Sequence, residues 1–235
     1  MTKTNRFFNA IKSDKTLTLS FYDTIGADLF GDGITATLVQ DELGGDYEDI
    51  LLRVNSPGGD AFEGVAIYNL LRAQGKPVNV VVDGLAASAA SIISMAGDSI
   101  VMNEGSVMMI HEAQALAVGN ADAMAKMADT LKTVTGSIAD IYVNRTTLSK
   151  DDVLKMMNEE TWMDAEDAVA KGFATSVSKS AAVTNSLDLT KFKNTPEKLV
   201  VDQTEGSRTT PVAEAKPEFD EIAIRFKRLE LEKRK

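Results

Sequence analysis

Cysteine is absent from the 235 residues, which excludes a disulfide framework, a thiolate metal site and a cysteine nucleophile. A single histidine, His111, excludes a multi-histidine metal site within one chain, and any step that needs an imidazole must use it. No metal and no cofactor are expected. No apolar run approaches the roughly 18 residues that a membrane helix requires, and the opening Met1-Thr2-Lys3-Thr4-Asn5-Arg6-Phe7-Phe8 lacks the apolar stretch and cleavage site of a signal peptide. The expectation is cytoplasmic residence with no membrane partner. A basic excess is lacking: with 25 Lys and Arg against 35 Asp and Glu, the net charge of −10 argues against nucleic acid as a partner. Phosphate-loop and dinucleotide fingerprints are missing too, since Asn55-Ser56-Pro57-Gly58-Gly59 has neither the lysine nor the spacing.

What is present is the alternation of an α/β chain. The length suffices for one domain with a sizeable core and an appendage. Residues 1–16 read as a flexible, polar N-terminal segment, 17–178 as the folded domain, and 179–235 as a polar extension. Phe219 to Lys235 has the spacing for a charged terminal helix. Within the domain, Leu17, Leu19 and Phe21 alternate with polar residues as a half-buried strand does. A helix over about Ile34 to Leu43 and a strand at Ile50–Val54 follow. The turn Asn55-Ser56-Pro57-Gly58-Gly59-Asp60 opens a helix through Leu71, and Gly75-Lys76-Pro77 closes it before the apolar strand Val78–Val82. Strand, helix, strand at this spacing implies a parallel crossover.

Later come short strands at Ser99–Met102 and Val107–Ile110, with His111 at the end of the second. A long helix spans about Ala121 to Asn144. Its stripe of Met124, Met127, Leu131, Val134, Ile138 and Ile141 reads as core or as a seam between subunits. Another helix reaches about Glu159, then a short strand at Thr161–Met163 and a helix stopped by Gly172.

Gly84-Leu85-Ala86-Ala87-Ser88-Ala89-Ala90-Ser91 turns from the strand into a helix, so Ser88 lies at a helix N-terminus among small side chains. Serine needs a neighbouring base to become nucleophilic, and imidazole suits that role near neutral pH. The tetrahedral oxyanion needs two N–H donors, for which the backbone amides of Gly59 and Ala89 are the candidates. A packing role for the small residues and a structural histidine remain the alternatives at this point.

Four segments in order carry a family likeness: Val54-Asn55-Ser56-Pro57-Gly58-Gly59, Ala66-Ile67-Tyr68, Gly84-Leu85-Ala86-Ala87-Ser88 and Val107-Met108-Met109-Ile110-His111-Glu112. They resemble the signature segments of the Clp protease proteolytic subunit, ClpP, over roughly residues 17–177. The resemblance implies an α/β fold, a ClpP/crotonase-like spiral of β-β-α units with a protruding helical handle. It implies a serine endopeptidase with Ser88 as nucleophile and His111 as general base, acting on protein or peptide substrates in homo-oligomeric rings. Aligned through Trp162, Ala165, Ala168 and Gly172, Glu160 falls where the family usually has the aspartate of the triad; Glu159, Asp164 and Asp98 are the other candidates. Glu160-Thr161-Trp162, the long extension and the divergent N-terminus are similar to the ClpP-like head maturation proteases of tailed bacteriophages, which implies capsid and scaffold proteins as substrates. The family's unfoldase-docking segment is not recognisable, which leaves an unfoldase partner doubtful. The competing readings are a housekeeping-type ClpP subunit, a crotonase-fold acyl-CoA enzyme and a non-catalytic ring-forming scaffold protein. A membrane-associated signal-peptide peptidase with a Ser–Lys dyad is a weaker fourth.

Overall fold

The central strand is β4, Val78–Ala87, and the rest of the sheet is arranged by what pairs with each half of it. In the computed structural model, residues 8–13, 15–27, 33–179 and 192–196 are described. The first half of β4 is a run of valines buried on both faces, the pattern of an interior parallel strand. It lies between β3, Asp49–Ser56, and β5, Ser99–Asn103, both parallel to it. Outward from β3 come β2, Thr16–Phe21, parallel, and then β1, Phe8–Ser13, antiparallel. Outward from β5 is β8, Ser176–Ser178.

The second half of β4 changes partner. Leu85, Ala86 and Ala87 pair with Val107, Met108 and Met109 of β6, Val107–Ile110, which is paired antiparallel with β7, Thr161–Asp164. A branch of two strands therefore leaves the main strand order where β4 ends, with Ser88 just after β4, His111 just after β6 and Glu160 just before β7.

Six helices are described: α1, Ala36–Glu42; α2, Ala61–Ala73; α3, Ala89–Ser94; α4, Ala121–Val143; α5, Lys150–Asn158; and α6, Ala165–Ala170. Side-chain caps start most of them. Thr35, Asp60, Asn120, Ser149 and Asp164 each accept a backbone N–H of the first turn. Helix α3 has no such cap, because its N-cap residue is Ser88, whose side chain faces elsewhere. One continuous core runs under these elements, from Leu17 and Leu19 through Val80 and Val82 to Met163 and Phe173.

Two expectations change. The segment before residue 16 contains a strand, β1, in place of a flexible stretch; pairing with β2 holds it at the edge although most of its side chains are exposed. The stripe on α4 divides: Ile138 is buried, Val134 and Ile141 pack partly on the core, and Met124 remains exposed. No described helix is long and apolar enough to cross a membrane. The terminal helix expected at 219–235, and most of the extension, lie outside the described residues.

Candidate active site

Ser88 is held in an unusual backbone conformation, φ 53° and ψ −123°, between the end of β4 and the start of α3. Among the described residues only Ser88 and Glu160 combine a side chain with positive φ. Such a conformation costs on the order of 1–3 kcal/mol and is maintained only where the surroundings dictate it. Here they do. Ser88 N–H donates to Met109 O at 2.9 Å, fixing the elbow to β6. Ser88 O accepts from Ser91 N, Ile92 N and Ser91 Oγ, at 2.9, 3.2 and 2.6 Å. The Ser91 hydroxyl also meets the buried Tyr142 hydroxyl at 2.8 Å, tying α3 to α4; burial pushes that phenol's pKa up, so it stays neutral.

The elbow aims the hydroxyl at the imidazole. Ser88 Oγ lies 2.7 Å from His111 Nε2, within hydrogen-bond reach for proton transfer. His111 follows β6 directly, so the pairing of β6 with the end of β4 brings Ser88 and His111 to one end of the sheet.

The Pro-Gly-Gly turn lies against the same elbow. A Cβ on Gly58 would sit 2.4 Å from Ala87 O and 2.8 Å from both Ala89 N and Ser88 Cβ. Only glycine permits that approach, and its φ of +76° also favours glycine. Gly58 O and Asp60 N bond to Ile25 N and O, at 3.0 and 2.8 Å, so the turn is clamped from both sides. No described hydrogen bond uses Gly59 N–H or Ala89 N–H. Ala89 opens α3, where amide donors lack acceptors within the helix.

The carboxylate side differs from a simple triad. Glu160 is buried, yet its carboxylate accepts from Trp162 Nε1 at 3.3 Å, Lys193 N–H at 3.1 Å and Asn194 N–H at 2.6 Å. Among the described residues it makes no hydrogen bond to His111. The side-chain nitrogen of Gln114 stands 3.2 Å from His111 Nδ1 instead. The other candidate acids are used elsewhere. Asp98 pairs with Arg72 and accepts Val78 N–H, at the opposite end of β4 from Ser88. Asp164 caps α6, and Glu159 ends α5.

Phe192 had no signal in the sequence. Its ring meets His111 and Trp162 edge-on, with centroids 5.6 Å away in both cases, in an apolar cluster with Leu85, Ala87 and Met109. Gln114 was missed as well, since one amide after a strand is ordinary loop composition.

Comparisons with known proteins bear on the family and the fold. A family model described as Clp protease matches residues 8–181. The ATP-dependent Clp protease proteolytic subunit of Pleurastrum terricola is 29% identical over 141 residues, covering 59% of this chain and 72% of the relative. That of Deinococcus radiodurans is 31% identical over 127 residues, covering 53% of this chain and 62% of the relative. Among solved structures, a mutant of ClpP1 from Listeria monocytogenes superposes with a TM-score of 0.58 at 20% identity, covering 70% of this chain and 91% of that one; it speaks to the fold.

Proposed function

Because the chain belongs to the Clp protease family, whose members are serine endopeptidases, we propose that it cleaves peptide bonds through an acyl-enzyme formed on Ser88. The observation that carries this reading is the 2.7 Å contact between Ser88 Oγ and His111 Nε2, made from a strained elbow. In the proposed cycle Ser88 Oγ attacks the scissile carbonyl while His111 Nε2 takes its proton. The amides of Gly59 and Ala89 receive the oxyanion. The imidazolium then protonates the leaving amine, and water, deprotonated by the same imidazole, releases the acyl group and restores the serine.

Glu160, at the acid position implied by the family likeness, is assigned the task of holding the proton on Nδ1 in the working form. Homo-oligomeric rings of this family's kind would confine substrates around the site. Within that frame we assign the natural substrates to capsid and scaffold proteins of an assembling phage head. Support for that assignment comes from Glu160-Thr161-Trp162 and the long polar extension.

The direct test is a fluorophosphonate probe followed by peptide mapping. Label is expected on Ser88, with Ser88→Ala lowering turnover by about 10⁴- to 10⁶-fold while folding and assembly persist. Undiminished proteolysis by the pure alanine variant would refute the assignment. Co-expression of both forms with neighbouring capsid and scaffold proteins, read by intact mass, tests the substrate.

A further inference from the structure

Residues Phe192–Pro196 lie well beyond the last described strand in sequence, yet they return to the end of the sheet that holds Ser88 and His111. Two kinds of contact hold them. Phe192 is buried among Leu85, Ala87, Met109 and Trp162 with its ring against His111. The next two residues present consecutive backbone N–H groups to the Glu160 carboxylate, and Asn194 Nδ2 donates to Glu159 O at 2.9 Å. A buried carboxylate accepting two backbone N–H groups is strongly engaged. It is also the carboxylate assigned above to His111.

The consequence falls on the imidazole. With its amide nitrogen facing Nδ1, Gln114 is placed to donate there, an arrangement that favours the tautomer protonated on Nε2. That tautomer donates to Ser88 Oγ and cannot accept its proton. We propose that residues 192–196 are an intramolecular strap that docks in an apolar cluster beside His111 and withholds Glu160 from it, restraining the Ser88 nucleophile until the strap leaves. This rests on the peptidase reading above. Lys193 and Asn194 are exposed, so lifting the strap draws Phe192 from its small apolar cluster and leaves the main core closed. A strap seated about nine-tenths of the time would leave about a tenth of the molecules reactive.

The experiment uses the full chain, wild type, Phe192→Ala and the double variant Phe192→Ala/Asn194→Pro, the second change removing one of the two backbone N–H donors to Glu160. Two quantities are read on each: acrylamide quenching of Trp162, the chain's single tryptophan, and the rate of fluorophosphonate labelling of Ser88. Both variants are expected to expose Trp162, and the double variant to label about tenfold faster. A synthetic peptide spanning Lys191–Leu199, added in excess, is expected to reverse both changes. Unchanged quenching with unchanged labelling would overturn the docked strap. Exposure of Trp162 without faster labelling would overturn the restraint. No labelling in any form, with Trp162 still responding, would overturn the peptidase reading and the restraint with it, leaving only a docking site.

Discussion

At the residue scale the site depends on what two positions lack as much as on what Ser88 and His111 carry. Gly58 and its neighbour provide a surface without side chains against which the elbow closes. Gly58→Ala places a methyl 2.4 Å from Ala87 O at a positive φ. The expected cost is about 2–4 kcal/mol, from strain and displacement of the elbow. Chemical denaturation would report the stability loss, and turnover should fall further than stability explains, since Ala89 N–H moves with the elbow. The sequence disclosed this part of the site well. Asn55 to Asp60 and Gly84 to Ser91 are local patterns, and each implies its own turn. Gln114 and Phe192 were not legible, because their roles arise from chain return and no neighbouring residue foreshadows them.

At the element scale, one buried ionic cluster links the strands that aim the site. Asp83 on β4 is fully buried and accepts Arg53 Nε from β3 at 2.9 Å, Asn103 Nδ2 from β5 at 3.0 Å and the Tyr22 hydroxyl after β2 at 2.6 Å. Burial, and then the Asp83 charge and hydrogen bond, push the Tyr22 phenol up to about 12. The folded form thus holds its proton where the unfolded form releases it. Stability from this group is complete below about pH 10 and is lost as the pH rises from 10 through 12. After allowance for partial solvent screening the loss is about 1–2 kcal/mol. Urea titrations at pH 9 and 11 are expected to show it in wild type and not in Tyr22→Phe. The valine run made β4 readable, whereas Asp83 gave no hint of its three partners, which come from separate parts of the chain: Arg53 on β3, Asn103 on β5 and Tyr22 just after β2. Strand β1 escaped for the opposite reason: an edge strand with four exposed residues in its last five positions leaves almost no apolar alternation to read.

At the scale of the whole molecule, α4 is the element least accounted for by one chain. Its second half sits on the core, through Ile138, Ala139 and Tyr142, while Met127 and Leu131 in its first half are only partly covered. A seam between subunits explains such a stripe. The double change Met127→Glu/Leu131→Glu should therefore shrink the assembly by mass photometry while leaving the circular dichroism of the chain unchanged. Unaltered particle mass would remove α4 from the seam. The sequence left core and seam both open, because periodicity specifies a face and not what covers it.

The elbow at Ser88 has a consequence for the contest between durability and work. A side chain there, at φ 53°, is a standing cost to the native state, whereas glycine adopts that conformation freely. On the peptidase reading Ser88→Gly and Ser88→Ala are both inert, so their stabilities can be compared directly. The glycine form is expected to melt higher, by a margin equivalent to about 1 kcal/mol after its larger unfolded-state entropy is deducted. Selection for endurance alone would drift toward the inert form; the serine persists in a place where it makes the molecule more fragile, the trade seen wherever reactivity is built into a backbone.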